Sequence, residues 1–130
     1  MYEDVEKELR ELLREAMHLK ESGKELEETL FEDVWIENEE DYRRLFDDEI
    51  PSTLKEILER IGLSCRIFHK KDDVPGYEYL ANCMTRTGRR IALGFDVDYD
   101  EVSGEVMLLF ASAWRDSEWT PNQLVYYHET

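Results

Sequence analysis

An α+β fold, with two to three N-terminal helices packed on a C-terminal antiparallel sheet, follows from three observations on this 130-residue chain. Residues 2–62 place their apolar side chains at helical spacing. From Leu63 onward the apolar period drops to two. Turn-forming clusters then divide the remaining chain at hairpin intervals. Helices first and strands second are the mark of helices covering one face of an antiparallel sheet. The reading is one domain, 1–130, with a helical region spanning 2–62 and a sheet region spanning 63–128, long enough to bury a core of its own.

The first element is a helix over 2–21. Val5, Leu9, Leu12, Leu13, Ala16 and Met17 form one stripe, and Ser22-Gly23 offers a stop. Residues 24–50 fit two readings. Leu26, Leu30 and Val34 keep a helical period, while Phe31, Val34, Trp35 and Ile36 suit a short strand. Asn38 is placed to cap a following helical turn carrying Tyr42, Leu45 and Phe46. Pro51-Ser52 opens the next helix, whose Leu54, Ile57, Leu58 and Ile61 share a face, and Gly62 closes it.

Four strands follow, at 63–70, 77–85, 90–99 and 105–114, with turns at 71–76, 86–89 and 100–104. In the third, Ile91, Leu93, Phe95, Val97 and Tyr99 alternate with Arg90, Ala92, Gly94, Asp96 and Asp98. Leu124 to Tyr127 is a fifth strand or a docked arm.

The meander reads as apolar on both sides. Tyr77, Tyr79, Ile91, Leu93, Phe95, Val97, Val106, Leu108 and Phe110 are assigned to the helix-covered face. Leu80, Met84, Ala92, Gly94, Met107, Leu109, Ala111 and Ala113 are assigned to the other, where a half-solvated sheet would carry polar residues. Three covers fit: the chain's own tail with Trp119 and Leu124 to Tyr127, a second copy making a homodimer, or a partner protein. The element order resembles that of the cone-shaped NTF2-like fold, and that likeness implies a curved sheet around a small apolar pocket.

Net charge is −16, and residues 21–49 alone hold 13 acids against Lys24, Arg43 and Arg44. Such a field repels nucleic acid and anionic lipid and attracts basic protein surfaces. Arg86, Arg89 and Arg90, with Arg66, Lys70 and Lys71, make one local basic end, read first as a solvated hairpin tip, with pairing to the molecule's own acids or to those of a second copy as the alternative. Residues 1–30 are charged throughout and contain no secretory apolar stretch, and no run is long enough to span a bilayer. Together these place the chain in the cytoplasm, where Cys65 and Cys83 are expected as free thiols.

No catalytic or metal spacing is present. Asp96 to Glu101 resembles the start of a calcium loop, but Glu101 replaces its glycine and Met107 stands at its bidentate acid. His18, His69 and His128 are scattered. The sequence therefore points to a non-enzymatic, cofactor-free acidic protein that binds a basic protein surface, in the manner of an inhibitor, an immunity protein or a nucleic-acid mimic. Glu27, Glu28, Glu32, Asp33, Glu37, Glu39, Glu40 and Asp41 are the candidate contacts. The alternative is a small-ligand or enzymatic domain with a pocket in a curved NTF2-like sheet, using Asp96, Asp98 or His128 as polar groups.

Overall fold

The computed structural model describes all 130 residues and confirms the α+β class. Its elements are α1 (Glu3–Leu19), β1 (Glu21–Phe31), α2 (Glu39–Arg43), a π-helical turn (Arg44–Glu49), α3 (Ile50–Arg60), β2 (Leu63–Lys70), β3 (Tyr79–Thr85), β4 (Arg90–Asp100), β5 (Glu105–Arg115), a 3₁₀ turn (Leu124–Tyr126) and β6 (Tyr127–Glu129). The six strands form one antiparallel sheet in the order β1-β5-β4-β3-β2-β6. The four-stranded meander is thus extended at both edges, by β1 beside β5 and by β6 beside β2.

Helix α1 ends sooner than Ser22-Gly23 suggested. Lys20 turns the chain with φ 79°, and Ser22 and Gly23 already belong to β1. Lys24, Leu26, Glu28 and Leu30 all face α1: the lysine bonds Glu11 and Glu8 at 2.7 and 2.9 Å, and the leucines are buried. Leu26 and Leu30, four residues apart, satisfy a strand as well as a helix, which is why the period alone could not separate them.

The core lies between the sheet and α1 and α3. Val5, Leu9, Leu12 and Ala16 of α1 meet Leu54, Ile57 and Leu58 of α3 over Ile67, Tyr79, Ala81, Ile91, Leu93 and Phe95. Most are essentially inaccessible, so each large side chain contributes about 1.5–3 kcal/mol by burial. Alternation along β4 is unbroken from Ile91 to Tyr99, matching the sequence reading.

Along β5 it is not. Asp96 and Val97 of β4 pair with Phe110 and Leu108, leaving Leu109 as an extra residue in a bulge. The opposite edge is irregular at the same level, where Glu25 pairs Phe110 and Glu28 pairs Leu108. A bulge reverses the alternation beyond it. Val106 and Leu108 face the helices, and beyond the bulge so do Ala111 and Ala113, both fully buried in the core. Phe110 turns to the outer face, where Tyr77 joins it: their rings stack at 6.3 Å. The assignments of Ala111, Ala113, Phe110 and Tyr77 from simple parity are corrected accordingly.

Cys65 and Cys83 are cross-strand neighbours and form a disulfide, contrary to the expectation of free thiols. The expectation rested on compartment, whereas register β2–β3 sets the two sulfurs face to face.

Candidate functional site

The outer face is covered by the chain's own tail. Leu80 and Ala92 are each 3% exposed, and Gly94 lies directly beneath the Tyr77 ring. Asn82 grips the tail from both ends of its amide: Nδ2 donates to the Trp119 carbonyl at 3.0 Å, and Oδ1 accepts from the Trp119 amide at 2.6 Å. The Trp119 indole donates to the Leu93 carbonyl at 2.8 Å and packs edge-on against Trp114. Basic side chains of the sheet bind tail carboxylates: Arg89 to Asp116, Arg90 to Glu118 and Arg66 to Glu129. The basic end read in the sequence is largely neutralised by these pairs. Of the eight residues assigned to an outer partner face, Met84 remains 44% exposed; Met107 and Leu109 are half-buried.

The eight candidate acids divide into two groups. Glu39, Glu40 and Asp41 belong to α2, where Arg43 and Arg44 neutralise them at 2.8, 3.8 and 3.4 Å. Asp41 is also structural, since its amide donates to the Asn38 cap and its carboxylate accepts from the Glu37 amide. Glu27, Glu28, Glu32, Asp33 and Glu37, on β1 and the loop after it, enter no ion pair. Burial, with Asp4 and Glu8 nearby, holds the Glu28 carboxyl above its ordinary range. That is the signature of carboxylates crowded without a counter-ion.

The loop at 32–37 packs against the turn between β4 and β5. The Val34 amide donates to the Gly104 carbonyl at 2.8 Å, the Tyr99 hydroxyl donates to the Val34 carbonyl at 2.8 Å, and the Trp35 ring lies over Gly104. A second set of acids, Asp100, Glu101 and Glu105, therefore borders the first. Asp100 closes that turn by accepting from the Val102 and Ser103 amides, which hold its carboxyl below the usual range. This accounts for the resemblance to a calcium loop. Among these acids Trp35 is 55% exposed and Val102 86% exposed. Sequence reasoning missed this apolar centre because Trp35 fitted a short strand with Phe31, Val34 and Ile36.

A second polar cluster joins three distant segments. His69 of β2 is 5% exposed. Its Nδ1 lies 2.8 Å from Asp47 Oδ1 and its Nε2 3.0 Å from Glu78 Oε1. His128 of β6 stands opposite His69 in register, with Nε2 3.2 Å from the same Asp47 oxygen. Burial opposes protonation of His69, but the hydrogen bonds to Glu78 and Asp47 outweigh it and raise its pKa. Asp47 sits on the π-helical turn, where the Ile50 amide donates to the Leu45 carbonyl and Pro51 has no N–H, so the Phe46 carbonyl is left to accept from the Tyr79 hydroxyl at 2.6 Å. Such turns recur at functional sites. The histidines looked scattered because the pairing of β6 with β2 is invisible at 59 residues' separation.

No family model, no curated protein and no solved structure matches the chain. No helix is long and apolar enough to cross a membrane.

Proposed function

We propose that this protein acts by binding, presenting the end of the sheet formed by residues 27–37 and 98–105 to a basic surface of another protein. The observation that carries the reading is Trp35, more than half exposed over Gly104, on a loop and turn whose carboxylates enter no ion pair. Interface energy concentrates in exposed aromatics enclosed by a polar rim, and Trp is the most enriched of them. The carboxylates add steering toward Lys- and Arg-rich surfaces, and they disfavour direct nucleic-acid binding. Within this reading the finer role is that of an inhibitor, immunity or anti-defence protein whose carboxylates stand where phosphates would on the partner's groove. It needs no cofactor and no catalysis.

Two further points belong to the same proposal. Self-association would use the Met84 flank of the outer face, since the tail occupies the rest. A cytoplasmic setting would hold Cys65 and Cys83 as a dithiol, because glutathione and thioredoxin keep such pairs reduced; the disulfide is the observation that favours an oxidising compartment instead. The ligand-pocket alternative gains little from the fold, because the helix side of the sheet is filled by core side chains. Asp96 and Asp98 lie in β4 and line none of the main hollows, and of the three polar groups named for that alternative only His128 does, in the hollow with Asp47 and His69.

The test begins with affinity capture from the native host and continues with titration of the captured protein at several salt concentrations. Trp35→Ala and the double change Glu32→Lys, Glu37→Lys are each expected to weaken binding at least tenfold, and affinity is expected to fall steeply with salt. Affinity unchanged by both variants and by salt would refute the reading.

A further inference from the structure

We propose that Asp47, His69 and His128 form a binding site for a divalent first-row transition metal of the zinc type. One carboxylate and two imidazoles offer donor atoms that all lie within 4.8 Å of one another. Asp47 Oδ1 is 2.8 Å from His69 Nδ1 and 3.2 Å from His128 Nε2. Ligand atoms bound to tetrahedral zinc at bond lengths near 2.0–2.1 Å stand about 3.3 Å apart. Two of the spacings are therefore already close to those of a filled site, and the exposed His128 can swing to complete it.

The surroundings of His69 match those of a ligand rather than of a simple core histidine. A metal-binding imidazole characteristically gives its other N–H to a carboxylate, which fixes the tautomer and aims the free nitrogen at the metal. His69 Nε2 is committed to Glu78 at 3.0 Å, and Glu78 is itself held by Lys70 at 3.6 Å. That leaves Nδ1 for the metal. The ring cannot turn away, because it stacks on Tyr79 at 4.8 Å and on Phe46 at 6.0 Å. Asp47 and His128 line an open hollow of about 230 Å³, which provides both an entry path and room for water in the remaining coordination positions.

The rim also carries Arg43, Lys70 and Lys71, which would oppose a cation if they were free. Arg43 is paired with Glu39 and Lys70 with Glu78; Lys71 donates to the Val125 carbonyl at 3.2 Å and keeps its charge, and Asp72 stands on the same rim. Two imidazoles and one carboxylate select zinc, cobalt or iron over magnesium and calcium, which prefer all-oxygen sites. Occupancy would also have a structural effect. His128 is in β6, so the metal ties the tail to the body of the protein.

The test uses the full chain, titrated with Zn²⁺ and separately with Co²⁺ in millimolar Mg²⁺, which saturates weak sites on the acidic surface. One ion per chain is expected, with a cobalt visible band of a four- or five-coordinate centre. His128→Ala and Asp47→Asn should each weaken zinc at least tenfold, and His128→Ala, at an exposed position, keeps the fold. Glu78→Gln, which does not touch the ion, should weaken zinc by about tenfold or more while leaving one ion per chain. Zinc should slow amide exchange at residues 127–129 in the wild type and not in His128→Ala. The proposal is overturned if no stoichiometric zinc binds in magnesium, if His128→Ala binds as tightly as wild type, or if bound zinc leaves exchange in β6 unchanged.

Discussion

Gly94 shows at a single residue how the outer face is built. A Cβ there would stand 2.8 Å from the Tyr77 ring, which is held by Phe110 and by a 2.8 Å hydrogen bond between its hydroxyl and Ser112. The ring cannot retreat without losing that bond. Gly94→Ala is therefore expected to cost about 1–3 kcal/mol in denaturant unfolding, the usual range for overpacking a filled site. By sequence Ala92 and Gly94 are assigned to an outer face open to a partner; at Gly94 it is Tyr77 of the same chain that packs there. Glu28 gives a prediction of opposite sign. Its carboxyl is harder to ionise in the folded state than its ordinary value of 4.5, because of burial and of Asp4 and Glu8. An acid with a raised folded pKa destabilises the fold above that pKa, and the penalty fades as pH falls toward the unfolded value. Glu28→Gln should accordingly raise Tm at pH 7, with the gain shrinking as pH falls through the raised folded value and vanishing below the ordinary 4.5. A gain that persists at pH 3 would trace to packing instead.

Both β4 and β5 were legible as strands, but which way the side chains face was legible only in β4, and the difference is physical. Both faces of β5 carry apolar side chains, so the pattern holds no mark of the extra residue at Leu109 that reverses its alternation. β1 was hidden for a related reason: Leu26 and Leu30 suit either period, and the acid between them, Glu28, faces α1 where an apolar residue would have signalled a strand. The pairing of β6 with β2, and with it the whole Asp47–His69–His128 cluster, depends on long-range register that no local pattern encodes. The β2–β3 pair, in contrast, was read with the right partners, and its register dictates the disulfide. Cys65 and Cys83 are separated by 18 residues. Closing a loop of that length should stabilise the fold by about 3 kcal/mol on the chain-entropy account. Reduction, or the double change Cys65→Ser, Cys83→Ser, is expected to lower stability by that amount without altering the near-ultraviolet signature of the packed tryptophans. Loss of that signature would mean the bridge determines the sheet's packing as well as its stability.

At the scale of the whole molecule, two charge distributions have to be kept apart. The tail is joined to the sheet by three exposed arginine–carboxylate pairs, which solvent and salt screen. Trp119 and the Asn82 amide hold it through part-buried hydrogen bonds between uncharged groups, which salt does not screen. The rest of the surface bears most of a net −16, and in the free protein that excess repels itself. Raising salt from about 0.05 to about 0.5 M shortens the Debye length from roughly 14 Å to about 4 Å, which screens this repulsion more than it weakens the short tail pairs. The free protein should therefore gain thermal stability with salt, while its complex with a basic partner loses affinity over the same range. The two measurements separate the causes. If affinity falls while Tm rises, the loss comes from screened attraction at the acidic end around Trp35. If Tm falls together with affinity, the ionic clamp on the tail is failing, and the binding loss would report partial unfolding rather than recognition.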